Sequence, residues 1–309
     1  MQTVTTSPLS TGAKKTIVFE NCSHWVENLL VENSECLTSA LSIIGKPLIV
    51  YNVEKLIAEN QSIDHILLPH NFSHTADLLQ TSFPQMQIDE YEDETRLANL
   101  PECLILSLNS AVVRSQSTDY VIKPIVYPWD VLKIMLEILE NEVQETSISK
   151  DSSIADLTVI KGPCMIDDGV CIDDFNKIIG PVYIGKNSKV GTGNLIRNCT
   201  IGSKSSIGFG CEIARTIMMG STKISHHDVI LDSIVGHNTW MGAFVGTTNL
   251  LLNNETVKYK LGDVLVSTGL EHFGSVMGCN SAIGAGTIIL PGRHIPPNSI
   301  LQAGTIFSK

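Results

Sequence analysis

From position 154 onward a large aliphatic residue recurs at every sixth place: Ile154, Ile160, Ile166, Ile172, Ile178, Ile184, Val190 and Ile196. In a chain that is 43% hydrophobic, a run this long arises by chance about once in a thousand starting points, and a fixed period marks a stacked repeat. Six is neither the helical period nor the alternation of a plain strand. It predicts one flat side of a triangular coil, with the aliphatic residue pointing inward, turn residues such as Gly185, Lys186 and Asn187 at the corner, and three sides to a coil. The register slips by one residue, resumes at Ile201, Ile207 and Ile213, and passes through Ile224, Ile230 and Val235. A last run holds Met277, Ile283, Ile289, Ile295, Leu301 and Phe307. Over residues 250–275 the period fails and Glu255, Lys258, Lys260, Asp263 and Glu271 appear, which predicts a projecting loop. An antiparallel sandwich would show two-residue alternation and Asn-Gly hairpin signals; the sequence has neither. Residues 154–309 are therefore expected to form an all-β, left-handed parallel β-helix of hexapeptide repeats. Its open flat sides imply a homotrimer with pockets between neighbouring subunits.

Residues 15–145 follow another pattern. TIVF, HILLP and ECLILSL read as strands, and Pro47–Glu59, SHTADLLQ and Pro128–Glu142 as helices, an alternation that predicts an α/β domain with a parallel sheet. The polar stretch Glu142–Ser153 separates it from the repeats, and residues 1–14 read as a disordered start without the apolar centre of a secretory signal.

The net charge of −11 and the absence of a basic stripe argue against nucleic acid. No apolar run is long enough to span a bilayer, so the expectation is a cytoplasmic protein without a membrane partner. Eight cysteines without a CxxC pair imply reduced, buried thiols and neither a zinc site nor a disulfide framework.

The run Gly45-Lys46-Pro47-Leu48-Ile49-Val50-Tyr51-Asn52-Val53-Glu54-Lys55-Leu56-Ile57 resembles the segment that follows the phosphate loop of sugar-1-phosphate nucleotidyltransferases, and Tyr127-Pro128-Trp129-Asp130-Val131-Leu132 is similar to their Pro-Trp-Asp signature. The resemblance implies a shortened, degenerate version of that domain. The stretch before Lys46 lacks the glycine-rich loop that cradles nucleotide phosphates. The strand Leu104–Leu108 runs into Asn109 and Ser110, where an aspartate would hold Mg²⁺, so Mg²⁺ is not expected. Lys46 and Asp130 then read as surface charges.

The C-terminal half carries Gly180-Pro181-Val182-Tyr183-Ile184-Gly185, Lys223-Ile224-Ser225-His226, Asp232-Ser233-Ile234-Val235-Gly236, and Thr268-Gly269 leading to Gly274-Ser275-Val276-Met277-Gly278. In that order these resemble the acetyltransferase domain of the bifunctional N-acetylglucosamine-1-phosphate uridyltransferase and glucosamine-1-phosphate acetyltransferase family, in its archaeal form. The resemblance implies acetyl-CoA as co-substrate, His226 as the general base, Arg197 as a sugar-phosphate ligand and Asn249 as a sugar ligand. A base is needed to take the amine proton, and imidazole titrates nearest working pH. Arginine suits phosphate through its paired donors.

Nearby residues leave other readings open. His227 stands beside His226, and one of the two is a surface polar. Arg197 has the alternative reading of a solvated corner charge. The family's second cationic ligand falls at Ala214, with Arg215 adjacent and usable if a local bulge turns it round. Its tyrosine falls at Val229, another asparagine at Trp240 and its loop lysine at Glu255. Ala285, Gly286 and Ala303 are small enough to admit a pantetheine arm, and Arg293 stands where CoA phosphates would be met.

Three functions follow from these features: a CoA-dependent acyltransferase acting on an amino-sugar phosphate or nucleotide sugar; a catalytically decayed nucleotide-sugar-binding or regulatory partner of a nucleotidyltransferase; and a surviving sugar-1-phosphate nucleotidyltransferase.

Overall fold

The computed structural model describes residues 16–20, 37–59, 63–92, 103–114 and 120–308. Residues 1–14, Cys22 and Cys36 lie outside them. Packing divides the chain into two compact units, the first mainly residues up to Val126 and the second mainly residues from Tyr127 onward.

In the first unit, strands Thr16–Glu20, His65–Pro69, Gln87–Tyr91 and Cys103–Ser107 form a four-stranded sheet whose pairings are all parallel. Helix Leu48–Glu59 buries Leu48, Ile49, Val53 and Leu56, and its Ile49, Val53 and Leu56 join a core with Ile17, Phe19, Ile66, Leu68 and Leu106. This is the parallel sheet that the alternating pattern predicts. Strand Gln87–Tyr91 and the antiparallel pair Ser110–Arg114 and Tyr120–Pro124 are additions to it. Gln-Ile-Asp-Glu-Tyr gives little apolar signal because it lies at the sheet's edge. Asn109 and Ser110 are buried, and the Ser110 hydroxyl donates to the Ser107 carbonyl at 2.7 Å. Lys46 is ion-paired with Glu54 at 2.6 Å.

The second unit opens with helix Pro128–Glu142, whose Pro-Trp-Asp start has an architectural explanation. Pro128 occupies the first turn, where its missing N–H costs nothing. The Asp130 carboxylate accepts the Tyr127 N–H at 2.9 Å, the carboxylate half of a capping box, rather than standing as a plain surface charge. Trp129 is buried edge-on against Tyr259 and Phe273, with centroids 5.9 Å from each.

Beyond the helix the chain winds as a triangular parallel β-helix of three eight-stranded sheets. The first face runs from Ser153–Ile154 to Ile300–Leu301, the second from Val159–Lys161 to Ile306–Phe307 and the third from Ser147–Ile148 to Arg293–Ile295. The aliphatic residues named above form one continuous interior stack, with Ile154, Ile160, Leu301 and Phe307 partly buried at its ends. Met218 and Met241 fill slots that an aliphatic search skips. Cys164, Cys199, Cys211 and Cys279 are buried, whereas Cys171 faces outward and is exposed, contrary to expectation. Its neighbour in the strand, Ile172, takes the inward place.

The slip in period has a local cause. Cys171 pairs with Lys189, 18 residues on, but Lys189 pairs with Ser206, 17 residues on. The corner from the second to the third face loses a residue: Gly180 and Pro181 fill it in one coil, and Asn198 alone fills it in the next. Residues 250–274 leave the coil, which resumes one residue earlier than expected at Ser275, and they contain an antiparallel hairpin, Lys258–Leu261 with Val264–Ser267, that supplies Tyr259 to the aromatic cluster.

Ile230 is fully buried in the stack, whereas Ile306 is 71% exposed. Ile230→Ala should cost about 2 to 5 kcal/mol, and Ile306→Ala no more than about 0.5 kcal/mol. Urea midpoints at constant slope measure both.

Candidate functional site

The corner between the first and second faces carries Ser225, His226, His227 and Asp228, between strands Lys223–Ile224 and Val229–Leu231. His226 Nδ1 accepts the Phe209 backbone N–H at 2.9 Å, which in the neutral ring leaves the hydrogen on Nε2. Gly208 makes room for this contact, because a Cβ there would collide with the Ser225 carbonyl and the His226 ring. His227 takes a left-handed backbone, φ 56°. Its ring stacks on Phe244 at 5.1 Å and meets the edge of Phe209 at 4.9 Å.

Asp228 is fully buried. Its Oδ1 accepts the Val245 N–H at 2.7 Å, while Oδ2 is buried without a partner among the described residues. Earlier coils hold Asn176 and Asn194 at this place. Their side-chain carbonyls accept the next coil's amide N–H at 2.8 and 2.7 Å, and their NH₂ groups donate to the carbonyl three residues back at 2.6 Å. A carboxylate can only accept, so the second half of this pattern is missing at Asp228 unless it is protonated. Burial raises its pKa to about 7, against the opposing pull of hydrogen bonds to the Val245 and Ser225 backbone. The polar residues at positions 176, 194 and 228 are the sequence signal for this ladder.

The next corner holds the predicted ligands. Asn198, Arg215 and Asp232 each stand there with φ between 46° and 49°, a region that costs a side-chain-bearing residue about 1 to 2 kcal/mol. For Arg215 that cost is offset by two hydrogen bonds, from Nε and Nη2 to the two Asp232 oxygens at 2.6 and 2.7 Å. Asn249 Nδ2 donates to Asp232 Oδ2 at 2.6 Å and lies 3.3 Å from His272 Nδ1. Asp232 thus joins Arg215 to Asn249, and neither it nor His272 figured among the expected site residues. Arg197 is ion-paired with Glu212, and its Nε is buried without a partner among the described residues.

Ala285 and Ala303 stack in the first corner's column above Ala243, joined by Gly286 N–H to Ala243 O and Gly304 N–H to Ala285 O, each 2.8 Å. Both alanines are exposed, and a Cβ on Gly286 or Gly304 would meet nothing within 4 Å. They share an edge with His226. Arg293 does not join them: it starts a third-face strand, and its guanidinium donates to the Ser308 and Pro291 carbonyls at 2.8 and 2.9 Å. A cleft of about 490 Å³ crosses the second face from His227 and Phe244, over Val229 and Gly246, to Asn249. It links the histidine edge to the Arg215 edge. Among the described residues no helix is long and apolar enough to cross a membrane.

The GMPPB C-terminal domain family matches residues 178–269. The uncharacterized acetyltransferase YaiX of Escherichia coli is 33% identical over 163 residues, 47% of this chain and 70% of that protein. The bifunctional protein GlmU of Methanococcus vannielii is 31% identical over 183 residues, 59% of this chain and 43% of that protein, so this chain spans under half of that relative. The match falls on the C-terminal part, where the sequence resemblance lies. Among solved structures, the acetyltransferase domain of PglB from Neisseria gonorrhoeae, in complex with acetyl coenzyme A, gives a TM-score of 0.26 at 11% identity over 92% of this chain and 100% of that one. A likeness that slight bears on neither the site nor its chemistry.

Asp228 has a folded pKa of about 7 against an ordinary value of 3.8. Below the lower value both states are protonated and the group costs nothing; the cost grows as pH rises and is complete above the higher value. Asp228→Asn should therefore stabilise the protein little at pH 4 and most at pH 8, by at most about 4 kcal/mol. Thermal melts across that range measure the difference, and a gain independent of pH would rule out the buried acid.

Proposed function

The chain belongs to the same family as the Escherichia coli acetyltransferase YaiX, and from that premise we propose that it transfers the acetyl group of acetyl-CoA to the amine of an amino sugar. The observation that carries this reading is the edge shared by His226, Ala285 and Ala303: a titratable ring set in a column whose later positions are small and exposed. That shelf fits the pantetheine arm lying along the coil with its thioester near the histidines.

The amine nitrogen attacks the thioester carbonyl, the C–S bond breaks as the tetrahedral centre collapses, and CoA leaves as the thiol. The amine proton needs an acceptor, and His226 is that base, taking the proton and returning it to the departing CoA thiolate. Its lone pair lies on Nδ1, against the Phe209 N–H. Base action therefore requires the ring to release the Phe209 N–H, after which either Nδ1 or, in the other tautomer, Nε2 is free to accept. Asn249, Arg215 and Arg197 lie across the second face, where the acceptor ring would rest, at about one three-residue strand or 10 Å from the corner. A second copy of the chain, in a cytoplasmic homotrimer, would close the cleft.

A thiol assay of CoA release from acetyl-CoA, run with a panel of amino sugars, tests this reading. Release should require an acceptor and should fall about 10²-fold or more in His226→Ala. No release with any acceptor from folded protein would overturn it.

A further inference from the structure

A sugar phosphate needs cationic groups with hydrogen-bond donors to spare. At the second corner each candidate cation already faces a carboxylate of its own chain. Asp232 takes two donors of Arg215 and one of Asn249, and its side chain is only 9% exposed. An anion brought to Arg215 would have to displace a carboxylate held in place by a third bond, and would then lie beside it. Arg197 is matched by Glu212, and its Nε is shut away from solvent. Register carries the arrangement along the face: Leu195 pairs with Glu212, which pairs with Val229, and Val229 pairs with Gly246. The two ion pairs therefore border the same face as the cleft.

A guanidinium–carboxylate pair has no net charge but offers both donors and acceptors. That matches vicinal hydroxyls, which donate and accept, and mismatches a phosphate, which at neutral pH chiefly accepts and is repelled by Glu212 and Asp232. The floor agrees. Val229, Gly246 and Ile288 line the cleft, and Gly246 is not demanded by the backbone: its φ is not positive, and a Cβ there would meet only the tip of Ile288, at 3.3 Å. It leaves a shallow apolar seat suited to the face of an uncharged ring.

Resting on the acetyltransferase reading, we infer that the acceptor is an amino sugar carrying no phosphate, its hydroxyls held by the Arg197–Glu212 and Arg215–Asp232 pairs and its ring lying over Gly246.

The test is kcat/KM for glucosamine, glucosamine-1-phosphate and a nucleotide-linked amino sugar, in the wild type and in Glu212→Gln. Glu212 is partly exposed, so its substitution leaves the core untouched. The wild type should prefer the unphosphorylated sugar by about tenfold or more. Glu212→Gln, which frees Arg197, should narrow that ratio by raising activity on the phosphate. Preference for either phosphorylated acceptor in the wild type overturns the inference while leaving acetyl transfer intact. If no acceptor releases CoA, the acetyltransferase reading falls instead. Thermal shifts with the same three sugars then decide the binding preference alone, and a larger shift with a phosphorylated sugar than with glucosamine overturns the inference.

Discussion

Every feature of the second unit depends on one constraint: each flat side must bury an aliphatic side chain on the one beneath it while its backbone pairs with the coils on either side. A buried Ile or Val contributes about 1.5 to 3 kcal/mol relative to exposure, and the stack supplies this at every side from Ile166 to Ile295. A strand in this arrangement cannot move its inward residue outward without turning the whole side over. The outward faces and the corners are released from that demand. The proposed site gathers there, with His226 and His227 at one corner, Arg215 and Asp232 at the next, and Gly246 on the face between.

The tight corner shows how the packing of the coil sets the geometry of its polar side chains. Removing one residue between the second and third faces forces the single remaining residue into the left-handed region. Asparagine and aspartate tolerate this region better than other residues, as Asn198 and Asp232 illustrate. Arg215 is less suited to it, and its fork onto Asp232 compensates.

Much of this was legible in the chain. The interior stack was readable because its slots admit a narrow class of side chain, and so was the helix that begins at Pro128, whose proline and aspartate have fixed places in a first turn. The exceptions have physical reasons. Met218 and Met241 bury flexible side chains in slots where branched ones prevail. The strand Gln87–Tyr91 lies at a sheet edge and carries a largely polar surface. The partners of Arg215 and Asn249 could not be read, because Asp232 meets both across neighbouring coils, 17 residues away in each direction. The Arg215 turn needed the corner's backbone angle, which spacing alone does not give.

The excursion between Trp240 and Ala282 has a consequence for how the molecule forms. Elsewhere each strand finds its template 17 or 18 residues back, but these two register partners are 42 apart. A closure of that length adds about 0.8 kcal/mol of chain entropy over an ordinary coil. Coil growth along the chain thus meets one step unlike the rest, where the final coils must wait for a long segment to return. The clasp of Trp129, Tyr259 and Phe273 gathers that segment, making a helix outside the coil part of how its last turns assemble.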